Sequence, residues 1–318
     1  MPLDIRCNPQ NRSQPYACKT KLGWSLQGPV STANVGRTCV NFVGMRELDQ
    51  NLEQLWRIER SAGNEEDIGA SIEDRQVEAL WKDSICVVEG NYQLPVPWKE
   101  GHPRFPNNRY MAEKRLQGTL RKVQRANEAQ EYQEGIQAMI DNGYAEKVPK
   151  EQLKGEFGKV WYLPHHGVRH PVKKKLRIVF DCAAKQGGLS FNDACLSGPD
   201  LVNRLTNVLL RFRLYEVAYA ADVKAMYMMV KLPPQDQDCL RFLWPEKGET
   251  QEYRITRHVF GGIFGAASST FALRHTLQDH ECSEEASEAI LKGMYVDDLL
   301  DSKPTVERSA STAKSKQY

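Results

Sequence analysis

The stretch Met294-Tyr295-Val296-Asp297-Asp298-Leu299-Leu300 is a short apolar run with two adjacent carboxylates in its middle. Apolar residues on both sides predict a buried β-hairpin with the acids at its turn. Two neighbouring like charges repel each other unless cations neutralise them. Because Mg²⁺ prefers one or two carboxylates and open positions for phosphate oxygens, a third acid from elsewhere in the chain would complete a metal-dependent phosphoryl-transfer centre. The alternative is an ordinary surface turn, in which Asp is common.

A third carboxylate, Asp222, lies far upstream, at the point where the apolar segment 217–221 ends. This segment is apolar enough to be a buried strand. Since a lone carboxylate is costly when buried, we expect Asp222 to join Asp297 and Asp298 around shared cations. An aromatic residue, Tyr227, follows Asp222 closely; its simplest interpretation is core packing.

The composition of the 318 residues predicts a globular protein of about two domains, with 41% hydrophobic residues for its core. A net charge of +2 means that any affinity for nucleic acid must come from a local patch. The eight cysteines include no Cys-x-x-Cys pair and are expected to be reduced thiols. No secretory signal and no apolar run of about 20 residues occurs, so we expect a cytoplasmic protein without a membrane partner.

A cationic segment lies between two predicted strands at residues 159–163 and 176–180, and no acid occurs between Glu156 and Asp181. Such a charge run is often only a solvated face. A hairpin tip that carries only cations would alternatively bind a triphosphate or a nucleic-acid backbone. A zinc site formed by the histidines of this segment with Cys182 or Cys195 is a third interpretation, but the spacing matches no common ligand pattern.

Hydrophobic periodicity and turn residues predict the remaining elements. Residues 1–17 are expected to have little order, and residues 61–74 to form an acidic linker. The predicted helices occupy residues 48–58, 110–142 as two helices or one kinked helix, 201–212 after a start at 197–200, 272–277 and 284–291. The predicted strands occupy residues 20–30, 90–99, 226–232, 239–243 and 253–256, in addition to those above.

With these motifs in place, the chain resembles the reverse transcriptase region of Pao/BEL-class long-terminal-repeat retrotransposon polyproteins. The resemblance rests on five short matches: Tyr295-Val296-Asp297-Asp298, Ala221-Asp222, Tyr227, Lys175-Leu176-Arg177 and Phe264-Gly265. The match is loose before Phe105 and in register at several motifs after it. Thr270 stands where the family has proline, which puts the start of the following helix in question.

The resemblance implies a role for each matched residue. Asp222, Asp297 and Asp298 would be catalytic and would bind two Mg²⁺ ions, for which Mn²⁺ could substitute. The nucleotide-binding residues would be Lys175 and Arg177 at the triphosphate, Tyr227 beneath the sugar, and Phe264 and Gly265 beside the nucleotide and template. An aromatic ring under the sugar would exclude a 2′-hydroxyl and favour deoxynucleotides.

The resemblance also implies an α+β fold: the fingers and palm of a right-hand polymerase, with an antiparallel split βαβ palm sheet. Residues 1–105 would be a protease-tail remnant and linker, and residues 106–318 the fingers and palm. The protease motif Asp-Ser-Gly or Asp-Thr-Gly is missing. Nothing like a thumb or a ribonuclease H domain follows the hairpin, so we expect the thumb to be missing.

The implied function is RNA-directed DNA polymerase activity, with primed RNA or DNA template and deoxynucleoside triphosphates as partners. If the reading frame continues, the other polyprotein domains would also be partners, in the cytoplasm or within virus-like particles. The alternative is a catalytically inactive, truncated remnant or recruited nucleic-acid-binding protein that uses only the cationic segment. A DNA-templated polymerase is a third interpretation.

Overall fold

The computed structural model describes residues 4–6, 16–20, 23–27, 71–99, 101, 103–169, 175–280 and 282–306. The chain divides into two compact units, Met1–Gly69 and Ala70–Tyr318. Phe105 belongs to the second unit, and the predicted division at residue 105 into a protease-tail remnant and a polymerase region stays a prediction. Apolar residues before Phe105, including Val77, Trp81 and Leu94, belong to the same buried core as Phe180.

In the first unit, three short strands form one antiparallel sheet in the order β1-β2-β3. They are β1 (Asp4–Arg6), β2 (Tyr16–Thr20) and β3 (Gly23–Gln27). β3 confirms the strand predicted within residues 20–30. β1 and the start of β2 fall in the segment predicted to have little order, because a polar composition does not reveal strand pairing. The predicted helix at 48–58 and most of the acidic linker lie outside the described residues.

The second unit mixes helices with small antiparallel sheets, which confirms the α+β class at this level. Its α-helices are α1 (Ile72–Ser84), α2 (Arg109–Arg125), α3 (Ala129–Asp141), α4 (Leu205–Phe212), α5 (Pro234–Gln237), α6 (Gly265–Asp279) and α7 (Glu284–Gly293). Its strands are β4 (Cys86–Val88), β5 (Asn91–Gln93), β6 (Ala145–Lys147), β7 (His165–Arg169), β8 (Leu176–Phe180), β9 (Val217–Asp222), β10 (Arg241–Glu246), β11 (Glu249–Ile255), β12 (Met294–Tyr295) and β13 (Asp298–Lys303).

Four sheets are built from these strands: β4-β5, β7-β8, β10-β11-β6 and β12-β13-β9. The last of these joins the hairpin of the decisive stretch to the strand that ends in Asp222. Within the described chain, no helix has the length and apolar character needed to cross a membrane.

The segment predicted as two helices or one kinked helix is two helices, α2 and α3. They separate at Asn127, whose φ of +55° is in the left-handed region and does not continue a helix. Each helix buries one face: α2 buries Ala112, Leu116, Thr119 and Val123, and α3 buries Tyr132 and Ile136. Both therefore pack through the apolar stripe that their sequence periodicity predicts.

Several predicted elements differ from the structure, and β9, predicted as a buried strand, is largely exposed. Residues 159–163 form only an isolated bridge at Tyr162, and β7 begins further on, at His165. Residues 226–229 form a 3-10 turn, not a strand. Helix α4 starts at Leu205, after the predicted start at 197–200, and α6 starts at Gly265, before the predicted residue 272. Thr270 lies inside α6, where the hydroxyl residue is compatible with helical geometry.

A buried ion network ties β10 and β11 to their surroundings. Arg241, which is 0% exposed, donates from Nη1 to Glu252 Oε2 (3.0 Å) and from Nε to Asp238 Oδ1 (3.0 Å). Its guanidinium also donates to the carbonyl oxygens of Leu153 (2.8 Å) and Gln152 (2.7 Å). Every side of the buried charge is thereby compensated, as burial of a charge requires.

Candidate functional site

Two of the three predicted carboxylates stand directly opposite each other. Strands β9 and β13 pair antiparallel, and their register places Asp222 against Asp298. Directly opposed residues in an antiparallel pair project on the same face, with Cα atoms about 4.5–5.5 Å apart. Both residues are exposed, so the backbone brings two ionisable groups from distant parts of the chain to one accessible edge.

The third carboxylate, Asp297, lies in the two-residue turn between β12 and β13. The backbone N–H of Val223 donates to the carbonyl oxygen of Asp297 (2.8 Å), which fixes the turn beside the end of β9. The preceding residue, Val296, has a φ of +56°. A β-branched residue in this conformation is strained by about 1–3 kcal/mol, and such strain is concentrated at functional sites.

The chemistry of these donors fits Mg²⁺, which takes carboxylate oxygens and completes its coordination shell with water and phosphate oxygens. Asp222 and the two acids of the Asp297–Asp298 turn are the carboxylates available to such a site. The side chains do not form a closed ligand cluster: in the described part of the chain, no three His, Cys, Asp or Glu side chains are close enough to hold one ion. The fit therefore rests on donor type and backbone register.

Tyr227 is the next residue of the site. Ala225, with a φ of +52°, ends the extended run after Asp222 and starts the 3-10 turn that carries Tyr227. The half-buried ring packs on Phe260, with 4.2 Å between ring centroids. Burial, together with the negative charge of Asp297, raises the pKa of Tyr227. The phenol therefore lies near the acidic turn and stays protonated at neutral pH.

The start of helix α6 packs against the Tyr227 ring. Its first residue, Gly265, faces the ring so closely that an added Cβ would lie 2.6 Å from Cε1 of Tyr227. The residue before it, Phe264, is 0% exposed and packs against Phe191 and His258. Phe264 is thus a core residue in this structure, and its predicted place beside the nucleotide stays a prediction.

Lys175 and Arg177, which are predicted to bind a triphosphate, lie on one face of β8. Lys175 precedes this strand, and Arg177 lies two residues further on, so the alternation of a strand puts both on the same side. Both are exposed, and neither has an ion pair among the described residues. Arg169 lies in the same cationic segment, but its charge is not free: it pairs with Glu128 (2.7 Å) and Glu131 (2.8 Å) of the α3 region. Residues 170–174 lie outside the described residues.

The zinc interpretation finds no ligand set in the described residues. His165 is buried, with Nδ1 2.6 Å from the Tyr132 hydroxyl and Nε2 3.0 Å from the Leu243 carbonyl oxygen, so both ring nitrogens are occupied. Burial raises the pKa of the Cys182 thiol to about 12, which disfavours the thiolate that zinc requires.

The loop at residues 260–263 contacts both Tyr227 and the end of β8: Phe260 packs on Tyr227, and Gly261 lies beside Phe180. Gly261 has a φ of +111°, and an added Cβ would lie 2.8 Å from the carbonyl oxygen of Phe180 at the end of β8. Asn192 clamps the loop: Nδ2 donates to the Gly261 carbonyl oxygen (2.9 Å), and Oδ1 accepts from Ile263 N–H (3.2 Å). From sequence alone, the Gly261-Gly262 pair is typical of any turn, and no local pattern points to Asn192.

A buried histidine anchors the start of α6, and it makes stability depend on pH. His258 Nδ1 lies 2.7 Å from Ser268 Oγ, and Nε2 lies 3.0 Å from the Leu94 carbonyl oxygen. Burial lowers the pKa of His258 from 6.5 to about 4. As the pH falls, the histidine is protonated first in the unfolded chain. The contribution of His258 to the free energy of unfolding is therefore complete above pH 6.5, and it declines by about 3 kcal/mol as the pH falls toward 4.

Urea unfolding at pH 7.5, 6.0 and 5.0 measures this loss. We expect His258→Gln to have a flatter pH dependence of unfolding free energy than wild type. The control His280→Gln removes an exposed histidine and should leave the pH dependence unchanged. An identical slope for His258→Gln and wild type would show that His258 is not the titrating group.

No family model matches the chain, and no curated protein matches it. Among solved structures, it is similar to a foamy viral protease-reverse transcriptase in complex with double-stranded DNA, with a TM-score of 0.47 and 16% sequence identity. The similarity covers 76% of this chain and 36% of that one, so the chain spans about a third of the length of that protein.

Proposed function

We propose that this chain is an RNA-directed DNA polymerase domain that transfers nucleotides to a primer 3′-hydroxyl. The observation that carries the proposal is the register of β9 and β13, which sets Asp222 opposite Asp298 and next to the Asp297 turn. Paired exposed carboxylates beside a strained turn and an aromatic ring suit a metal-dependent phosphoryl-transfer centre.

In this proposal, Asp222 and Asp297 would hold two Mg²⁺ ions, with Asp298 assisting. When bound, Mg²⁺ would neutralise charge on the triphosphate and lower the pKa of the attacking hydroxyl. The protein itself mainly positions its substrates and supplies charge, as phosphoryl transfer generally requires.

Residues outside the carboxylate group would select the nucleotide. Arg177 can donate two parallel hydrogen bonds to phosphate oxygens, and Lys175 adds a point charge. Both are free of ion pairs in the described chain, so neither would have to break one to bind an anion. The Tyr227 ring, held by Phe260 and Gly265, would exclude a 2′-hydroxyl at the sugar.

The narrower assignment to the Pao/BEL retrotransposon class rests on the motif resemblance. With it come the expected partners: primed RNA or DNA template, deoxynucleoside triphosphates and further polyprotein domains. The expected location in the cytoplasm or in virus-like particles has the same basis.

Primer extension by the purified chain tests the proposal. We expect Mg²⁺-dependent addition of deoxynucleotides on a primed RNA template, with less product on a DNA template of the same sequence. No extension on either template, with salt-sensitive RNA binding retained, would contradict the proposal. It would favour the non-catalytic nucleic-acid-binding protein that uses the exposed Lys175 and Arg177. Preferred use of the DNA template would instead indicate a DNA-templated polymerase.

Gly265 offers a specific test of sugar selection. In Gly265→Ala, the added methyl group would lie 2.6–2.7 Å from ring carbons of Tyr227, so the ring must move. We expect the preference for deoxynucleotides over ribonucleotides to fall by about ten-fold, the equivalent of ~1.4 kcal/mol. Single-nucleotide addition with matched dNTP and NTP measures this ratio.

The matched control is Gly262→Ala, three residues earlier, where the nearest side-chain atom would be 3.4 Å away and belongs to Phe264. This variant should keep the wild-type ratio. Unchanged sugar selection in Gly265→Ala would argue against Tyr227 as the residue that senses the 2′-position.

A further inference from the structure

The outer face of helix α2 carries a row of cations that the carboxylate site does not use. The helix contains six Arg or Lys residues and a single acid, Glu113. At 100° per residue, Lys114, Arg121 and Arg125 fall within about 40° of one another around the helix axis. The buried residues Ala112, Leu116, Thr119 and Val123 lie on the opposite side.

These three cations have no acidic partner in the described chain, although Nε of Arg121 donates to the Gln117 carbonyl oxygen of the same helix (3.2 Å). Lys114, Arg121 and Arg125 are exposed and form no ion pair there. The acids around α2 bind other cations instead: Glu113 and Glu252 bind Arg109, Asp181 binds Arg115, and Glu128 and Glu131 bind Arg169. The row spans about 16 Å along the helix, so its positive charge is concentrated on one solvent-facing line.

Gly118 lies within the continuous helix, at the centre of this row. An added Cβ there would meet nothing within 4 Å, and the backbone is helical, so neither packing nor conformation requires glycine. Glycine in a helix interior is destabilising relative to alanine. A glycine without a structural reason, placed between Lys114 and Arg121, is typical of a position where another backbone approaches closely.

An exposed aromatic ring completes the face. Tyr110 lies one turn before Lys114 and is 71% exposed, and Nζ of Lys114 lies 5.3 Å from its ring centroid. Aromatic rings beside cations are typical of surfaces that bind single-stranded nucleic acid, because unpaired bases stack on the rings.

We propose that the α2 stripe, defined as Tyr110, Lys114, Gly118, Arg121 and Arg125, binds the backbone of single-stranded nucleic acid. The three cations contact phosphates, Tyr110 stacks on a base, and the strand passes closest to the helix at Gly118. The inference goes beyond the proposed function, because no step of it uses the carboxylates.

Fluorescence anisotropy with a labelled 20-nucleotide RNA tests the stripe in the full chain. In the triple variant Lys114→Gln, Arg121→Gln, Arg125→Gln, we expect affinity at 100 mM salt to fall at least about ten-fold. The slope of log K against log salt should decrease by about 2, since each lost phosphate contact on a single strand contributes about 0.7. Tyr110→Ala should lower affinity about ten-fold without changing the slope.

The control is Lys150→Gln, Lys154→Gln, Lys247→Gln, which removes the same charge from exposed lysines elsewhere. It should stay within two-fold of wild type. Equal losses in the two triple variants would overturn the proposal in favour of a net-charge effect. Equal competition by poly-glutamate, or tighter binding of a blunt duplex than of the RNA, would also overturn it.

Gly118→Gln separates a binding role from a structural one. This variant should raise the melting temperature, because glutamine is the better helix former, and it should nevertheless weaken RNA binding. Wild-type affinity in Gly118→Gln would contradict close approach at this position. Anisotropy is measured without Mg²⁺ and nucleotide. Loss of primer extension with retained RNA binding would therefore contradict only the proposed function, and equal RNA affinities in the two triple variants would contradict only the stripe.

Discussion

Asp222→Asn is expected to reduce the rate of primer extension by about 10³-fold, the equivalent of ~4 kcal/mol of transition-state stabilisation. Asparagine keeps the size of the side chain and removes its negative charge. Asp222 is exposed at the end of β9, and its carboxylate makes no hydrogen bond within the described residues, so the fold should not change. The loss should therefore appear in the chemical step and not in stability.

Single-turnover extension with Asp222→Asn, Asp298→Asn and the double variant measures this effect. Residues that act as one unit are strongly non-additive, so the double variant should be little worse than either single one. The matched control is Glu216→Gln, an exposed acid next to the other end of β9. Undiminished activity in either Asp variant, or an equal loss in Glu216→Gln, would contradict the assignment.

Arg241→Met is expected to lower the free energy of unfolding by about 3–5 kcal/mol. The substitution leaves Glu252, which is 7% exposed, with one fewer buried cation, and it removes the donor to the carbonyl oxygens of Gln152 and Leu153. Methionine fills most of the volume but cannot compensate these groups. Urea unfolding monitored by circular dichroism measures the change.

An exposed ion pair on the same sheet provides the control. Lys147 and Glu246 are 2.5 Å apart, with side chains 49% and 39% exposed. Because solvent screens such pairs, Lys147→Met should change the free energy of unfolding far less than Arg241→Met does. A loss of similar size in both variants would show that burial does not make the Arg241 network special.

The pairing of Asp222 with the Asp297–Asp298 hairpin could be predicted because the sequence carries a local signal for each of the two segments. An apolar run broken by two acids predicts a hairpin, and an apolar segment ending in Asp222 predicts a strand; the structure pairs them. The sequence could not fix the register, because register depends on tertiary packing of both faces and not on either strand alone.

The surroundings of Tyr227 could not be predicted in the same way. The apolar run at 226–230 favours a strand, but the left-handed Ala225 turns the chain into a 3-10 segment. Nothing in the residue type announces this, since alanine rarely adopts a positive φ. Phe260 and Asn192 act through contacts that join distant segments, and such contacts leave no local periodicity.

The central claim is that Asp222 and the Asp297–Asp298 turn share a divalent cation, and Fe²⁺-mediated backbone cleavage tests it most directly. With ascorbate and hydrogen peroxide added, Fe²⁺ in place of Mg²⁺ reduces the peroxide to hydroxyl radicals, which cut the chain near the bound ion. We predict cuts close to both residue 222 and residue 297, suppressed by excess Mg²⁺ and by Asp222→Asn, and unchanged in Glu216→Gln. Cleavage at only one of the two segments, or cleavage that survives Asp222→Asn, would contradict a shared site.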